Sequence, residues 1–135
     1  MLGERVTIAR GTTIIIDGAQ LQIGNDFYCN KNCYFRASRN LFFGNVCQVG
    51  WNVQINTSDG HAIFHDGKSQ VSDLPINIGN HVWITSNTII TKGVSIADGC
   101  IIAQGAVVTK SINEPRALVG GVIAKVILQN IEWKR

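Results

Sequence analysis

The stretch "IGNHVW ITSNTI ITKGVS IADGCI IAQGAV VTKSIN", residues 78–113, divides into sixes led by Ile78, Ile84, Ile90, Ile96, Ile102 and Val108. The fifth place of each six holds Val82, Thr88, Val94, Cys100, Ala106 or Ile112. A branched apolar residue at every sixth position fits neither the 3.6-residue period of a helix nor the two-residue alternation of a long strand.

The spacing is that of a hexapeptide parallel β-helix, in which three sixes close one triangular coil. Residues 18 apart then stack at about 4.8 Å and bury a continuous apolar stripe. Ile78 is expected against Ile96, and Ile84 against Ile102.

The same register returns upstream in "IGNDFY CNKNCY FRASRN LFFGNV CQVGWN VQINTS", led by Ile23, Cys29, Phe35, Leu41, Cys47 and Val53, and more weakly at Leu2, Ile8 and Ile14. With one slip near "DGAQLQ", this makes an all-β fold of about five coils. Phe27, Arg39, Asn45 and Trp51 then occupy fifth places, where small residues are usual. All four cysteines fall on inward places, Cys29 and Cys47 leading and Cys33 and Cys100 fifth. Free cysteine packs as a small hydrophobe, so they read as buried thiols rather than catalysts or metal ligands.

The count fails in "NTSDGHAIFHDGKSQVSDLP", residues 56–75. Carried onward from Val53, it would drive Asp59 and His65 into the core, a costly burial without partners. The chain is therefore expected to leave the coil as a loop near 58–76, and loops on rigid scaffolds carry function. In "SDGH", His61 can exchange a proton near neutral pH, and Asp59 can orient the ring or stabilise its charge. The same Asp also serves an ordinary turn by bonding its own backbone. His61, His65 and His81 lack a paired spacing on one element, and no metal is expected. Trp83, in the last place of its six, points outward as a ligand wall or a subunit contact.

At 135 residues the chain is one domain. Its net charge of +3 comes from scattered lysines and arginines, without the clustered footprint of a nucleic-acid binder. No apolar run reaches the roughly 18 residues of a membrane span, and no basic-then-apolar leader opens the chain. A cytoplasmic protein with reduced thiols is expected.

"SDGHAIF", "INIGNHVWITSNTIITKGVSIADGCIIAQGAVVTK", "AKVI" and "NIEWKR" together closely resemble the hexapeptide-repeat acyltransferases, in particular the bacterial polysaccharide, maltose and xenobiotic O-acetyltransferase branch. The resemblance implies a left-handed coil, a homotrimer with sites between subunits, and acetyl-coenzyme A as donor to a hydroxyl of a sugar, polysaccharide or xenobiotic. It assigns His61 as the general base with Asp59 as its carboxylate. It places Trp83 where donor and acceptor meet, Thr85 and Ala103 beside the pantetheine arm, and Lys110 and Lys125 against the coenzyme's phosphates.

Three features depart from the family's pattern. "GGVIAK" replaces its usual Gly-Asn-Pro turn, Thr85 stands for a glycine, and the helical segment many relatives place before the coils is not expected here. A non-catalytic trimeric scaffold and a metal-dependent lyase like the γ-class carbonic anhydrases stay as alternatives. The β-helix is expected over 1–113, with 114–135 extending and capping the last coil and Trp133 packing there.

Overall fold

The computed structural model describes all 135 residues and contains no helix. The chain winds a left-handed parallel β-helix whose short strands form three faces. The first, the Trp83 face, stacks Val6–Ile8, Phe27–Cys29, Gln48–Val49, Trp83–Ile84, Ile101–Ile102 and Leu118–Gly120 in parallel, with Lys125–Leu128 antiparallel at the end. The Ile90 face stacks Thr13–Ile16, Tyr34–Ala37, Gln54–Asn56, Ile89–Ile90 and Val107–Val108. The Ile78 face stacks Leu21–Ile23, Leu41–Phe43, Ile76–Ile78 and Ser95–Ile96.

Ile78 pairs with Ile96 and Ile84 with Ile102, as the sixes predict. All of the leading residues from Ile78 to Val108 are buried. The coil number rises from the expected five to about six. The added strand, Leu118–Gly120, continues the Trp83 face beneath Ile101–Ile102. Its approach through "SINEPRA" no longer keeps sixes, since Val119 follows its partner Ile102 by 17 residues rather than 18.

Upstream the expected register needs a correction. Ile78 stacks on Phe43 rather than Leu41, Ile84 on Val49 rather than Cys47, and Ile90 on Ile55 rather than Val53. Two extra residues lie in the corner after Ala37, where buried Thr57 Oγ1 accepts the backbone N–H groups of Ser38 and Arg39 at 2.9 and 3.3 Å. Cys47 therefore takes a fifth place, and Arg39, Asn45 and Trp51 move outward; Trp51 is half exposed. Phe27 stays inside, its ring 5.0 Å from that of Phe43 in an edge-on pair. All four cysteines are buried and unpaired, as expected, and burial pushes Cys47 up to about 11.

One corner of the prism is held by a column of side chains. The carbonyl oxygen of Asn25 accepts from Glu4 N–H, Asn45 from Asn25, Asn80 from Asn45, and the Asp98 carboxylate from Asn80, at 2.7–2.9 Å. These rungs join residues 21, 20, 35 and 18 apart, so they measure each coil. The residue before each rung is glycine at 24, 44 and 79 because there is no room for more. A Cβ on Gly44 would stand 2.4 Å from Asn80 Oδ1.

Candidate active site

The longest interval on that column contains the interruption. Between Asn56 and Ile76 the chain leaves the edge shared by the Ile90 and Ile78 faces. Its limbs meet where Ser58 pairs with Asp73 and Asp59 N–H donates to the Ser72 carbonyl at 2.9 Å. Beyond them, Phe64–His65 and Lys68–Ser69 form a hairpin. Its Asp66-Gly67 turn places both residues at positive φ, the backbone that a two-residue hairpin turn demands.

His61 stands exposed on the outgoing limb. The Asp59 carboxylate, two residues before it, accepts from Lys92 Nζ at 2.7 Å. The same ammonium donates to the Val71 carbonyl at 2.9 Å, so one lysine ties both limbs to the coil. Asp73 fixes the returning limb by accepting from Ser38 and from Ser72 Oγ. Those hydroxyls hold its carboxyl below the usual carboxylate range.

Trp83 lies elsewhere in the chain, outward on its own face and 39% exposed, enough to offer a wall. It borders a groove of about 510 Å³ that also takes in Thr85, Ser86, Ala103 and Gln104, with Tyr28, Gln48, Ile101 and Leu118 along its floor. With Trp83 between Gln48 and Ile101, these residues come from five successive coils. At about 4.8 Å per strand, the groove runs roughly 19 Å along the coil axis. Such a slot suits a long, thin ligand. Gly50 is required at its side, since a Cβ there would lie 2.7 Å from the Ser86 nitrogen.

The groove also holds unused donors. The backbone N–H groups of Ser86 and Gln104 bond to nothing within the chain, whereas those of Thr85 and Ala103 are spent on Ile102 and Val119. The Thr85 hydroxyl donates to the Ile102 carbonyl at 2.7 Å. Lys110 and Lys125 are exposed near the far end of the coil and do not line the groove. The chain thus gathers Trp83, Thr85 and Ala103 in one place and leaves His61 on another edge.

His81 has a structural partner. At positive φ, which histidine tolerates better than most residues, its ring stacks on Trp133 at 3.8 Å between centroids. Trp133 Nε1 donates to the His81 carbonyl, and His81 Nε2 to the Trp133 carbonyl, both at 2.8 Å. This pins the C-terminal residues beside Trp83, whose ring is 5.8 Å from that of Trp133. The arrangement separates His81 from His61 and His65, and His65 lies near Asp66 on the exposed hairpin.

Sequence reading missed the lining residues Gln48 and Trp51, which the register error after Ala37 had displaced, and Tyr28, whose neighbour on the next coil is Gln48. It also missed Lys92, whose partner Asp59 is 33 residues away.

A family model described as "Bacterial transferase hexapeptide (six repeats)" matches residues 75–110. The galactoside O-acetyltransferase of Escherichia coli K12 is 34% identical over 112 residues, covering 82% of this chain and 54% of its own length. The crystal structure of a maltose O-acetyltransferase from Clostridium difficile 630 superposes with a TM-score of 0.82 at 30% identity, over 97% of this chain and 69% of that one. A galactoside acetyltransferase in complex with coenzyme A gives 0.80 at 27% identity, over 99% and 72%.

The fold and the repeat place the chain among the hexapeptide-repeat transferases. It belongs to the hexapeptide-repeat acetyltransferase family. The chain spans about half the length of the curated relatives it matches first, 54% and 53%. No helix is long and apolar enough to cross a membrane.

Proposed function

We propose that the protein transfers an acetyl group from acetyl-coenzyme A to a hydroxyl of a saccharide or other hydroxyl compound. The observation that carries this reading is the axial groove, which joins an aromatic wall at Trp83 to unused amides at Ser86 and Gln104. A pantetheine arm has the length and the amides to use them. Lys110 and Lys125, exposed beyond the groove, pair with the coenzyme's phosphates through charge-assisted hydrogen bonds in this reading.

His61 is the general base. An alcohol attacks a thioester only as its proton departs, and an exposed imidazole takes that proton near neutral pH. The proton then passes to the departing thiolate, so His61 ends neutral. The carbonyl oxygen gains negative charge during attack and needs a donor, which a free groove amide supplies. Trp83 walls the place where acceptor and thioester meet.

His61 and Trp83 occupy different edges of one chain, so the complete site needs a second copy. A threefold ring closes this contact for all subunits at once. Galactoside, maltose and polysialic acid are named for the relatives, which supports a neutral or acidic saccharide as the acceptor proposed for this chain. A cytoplasmic location fits the acetyl-coenzyme A supply and the four free cysteines.

The test is calorimetry with acetyl-coenzyme A, together with release of coenzyme A thiol in the presence of maltose, a galactoside or oligosialic acid. Wild type is expected to bind saturably and turn over one acceptor. His61→Ala should keep donor binding and lose about 10²- to 10⁴-fold in turnover. Wild type that forms trimers without binding acetyl-coenzyme A would return the protein to the scaffold reading.

A further inference from the structure

We propose that Lys92 is a positioning residue for the loop histidine, and that Asp59 acts as its anchor rather than as the carboxylate of a His61 dyad. This deepens the acetyl-transfer reading and rests on it. Lys92 sits in the turn after Ile89–Ile90, at the same edge from which the loop departs one coil earlier. Its side chain and that of Asp59 are only 25% and 24% exposed, although the loop around them is open.

The contacts are cross-limb. Asp59 belongs to the outgoing limb and Val71 to the returning one, and Lys92 Nζ holds both, at 2.7 and 2.9 Å. The next coil supports the loop further through Leu74, whose Cδ1 would be 3.1 Å from a Cβ on Gly93. His61 is two residues past Asp59, the first functional side chain beyond the clamp.

A base on an untethered limb would spend much of its time away from the acceptor hydroxyl. Displacement by about 1 Å can cost a hundredfold in rate, so a tether two residues away bears on turnover. An Asp59 committed to Lys92 also leaves His61 without a fixed negative neighbour.

Lys92→Met, Lys92→Arg, Asp59→Asn and the Asp59→Asn/Lys92→Met double variant test this by two routes. Hydrogen exchange should speed up about tenfold or more at the Asp59 and Gln70 amides in Lys92→Met, with Thr85 and Ala103 unchanged. In turnover of acetyl-coenzyme A with maltose, a galactoside or oligosialic acid, whichever wild type uses, kcat should fall about 10- to 100-fold. KM for acetyl-coenzyme A should hold, since Lys92 does not line the groove. Lys92→Arg should recover much of the loss, and the double variant should be no worse than either single one.

Unchanged loop exchange in Lys92→Met overturns the clamp. So does an Asp59→Asn loss with a shifted acid limb of the pH profile while Lys92→Met turns over normally, because that pattern makes Asp59 a direct partner of His61. Wild type without any turnover refutes the acetyl-transfer reading, and the exchange result then decides the clamp separately.

Discussion

Ile89 and Ile90 are chemically identical neighbours that the coil treats oppositely. Ile90 is fully buried between Ile55 and Val108, whereas Ile89 faces outward at 37% exposure. Replacing Ile90 by Ala removes three buried carbons, roughly 2.4 kcal/mol at about 0.8 kcal/mol each. A rigid stack of coils closes poorly over the hole, so the cavity raises the cost to about 3–4 kcal/mol. Ile89→Ala loses part of one flank's contact and some strand preference, about 1 kcal/mol. The gap of about 2 kcal/mol is a roughly 30-fold difference in unfolding equilibrium. Urea unfolding followed by far-ultraviolet circular dichroism, at two protein concentrations, measures both. Equal costs, or a larger cost at Ile89 that is independent of concentration, would refute the register and the stacking argument built on it.

Gly44→Ala should destabilise by about 3 kcal/mol in the same assay, because the new Cβ meets Asn80 Oδ1 at 2.4 Å and the Asn80 nitrogen at 2.8 Å, and a rung of the column must break. Acid should loosen the loop base. The Asp73 carboxyl is held below its ordinary 3.8 by Ser38 and Ser72, so its contribution is complete above about pH 4 and is lost as pH falls through the lower folded value. Limited proteolysis of the loop between about pH 2 and 4 should show the change, and Asp73→Asn should flatten it.

The second half of the chain was legible because each six supplies an unambiguous branched residue at its head. The first half misled for a geometric reason. A three-residue strand such as Leu41–Phe43 turns two side chains inward, with only Phe42 facing out. A shift of two residues therefore exchanges one buried column for the other and leaves the hydrophobic pattern intact. Only the pairing of Phe43 with Ile78 exposes the shift.

The loop was visible because burying Asp59 and His65 was too costly. The ownership of Asp59 was not visible, because proximity in sequence favours His61 while the fold delivers Lys92. The same holds for His81, whose partner Trp133 is 52 residues away.

The column of asparagine side chains has a consequence for how such a protein diversifies. Its rungs count coils and are indifferent to the number of residues between them, since spans of 18 and 35 close with bonds of 2.7 and 2.8 Å. Lengthening a loop between rungs adds little closure entropy, about 0.6 kcal/mol per doubling. New loops can thus be spliced in at that edge while the groove beside Trp83 stays in alignment, and a grafted loop need match the coil only at its two feet.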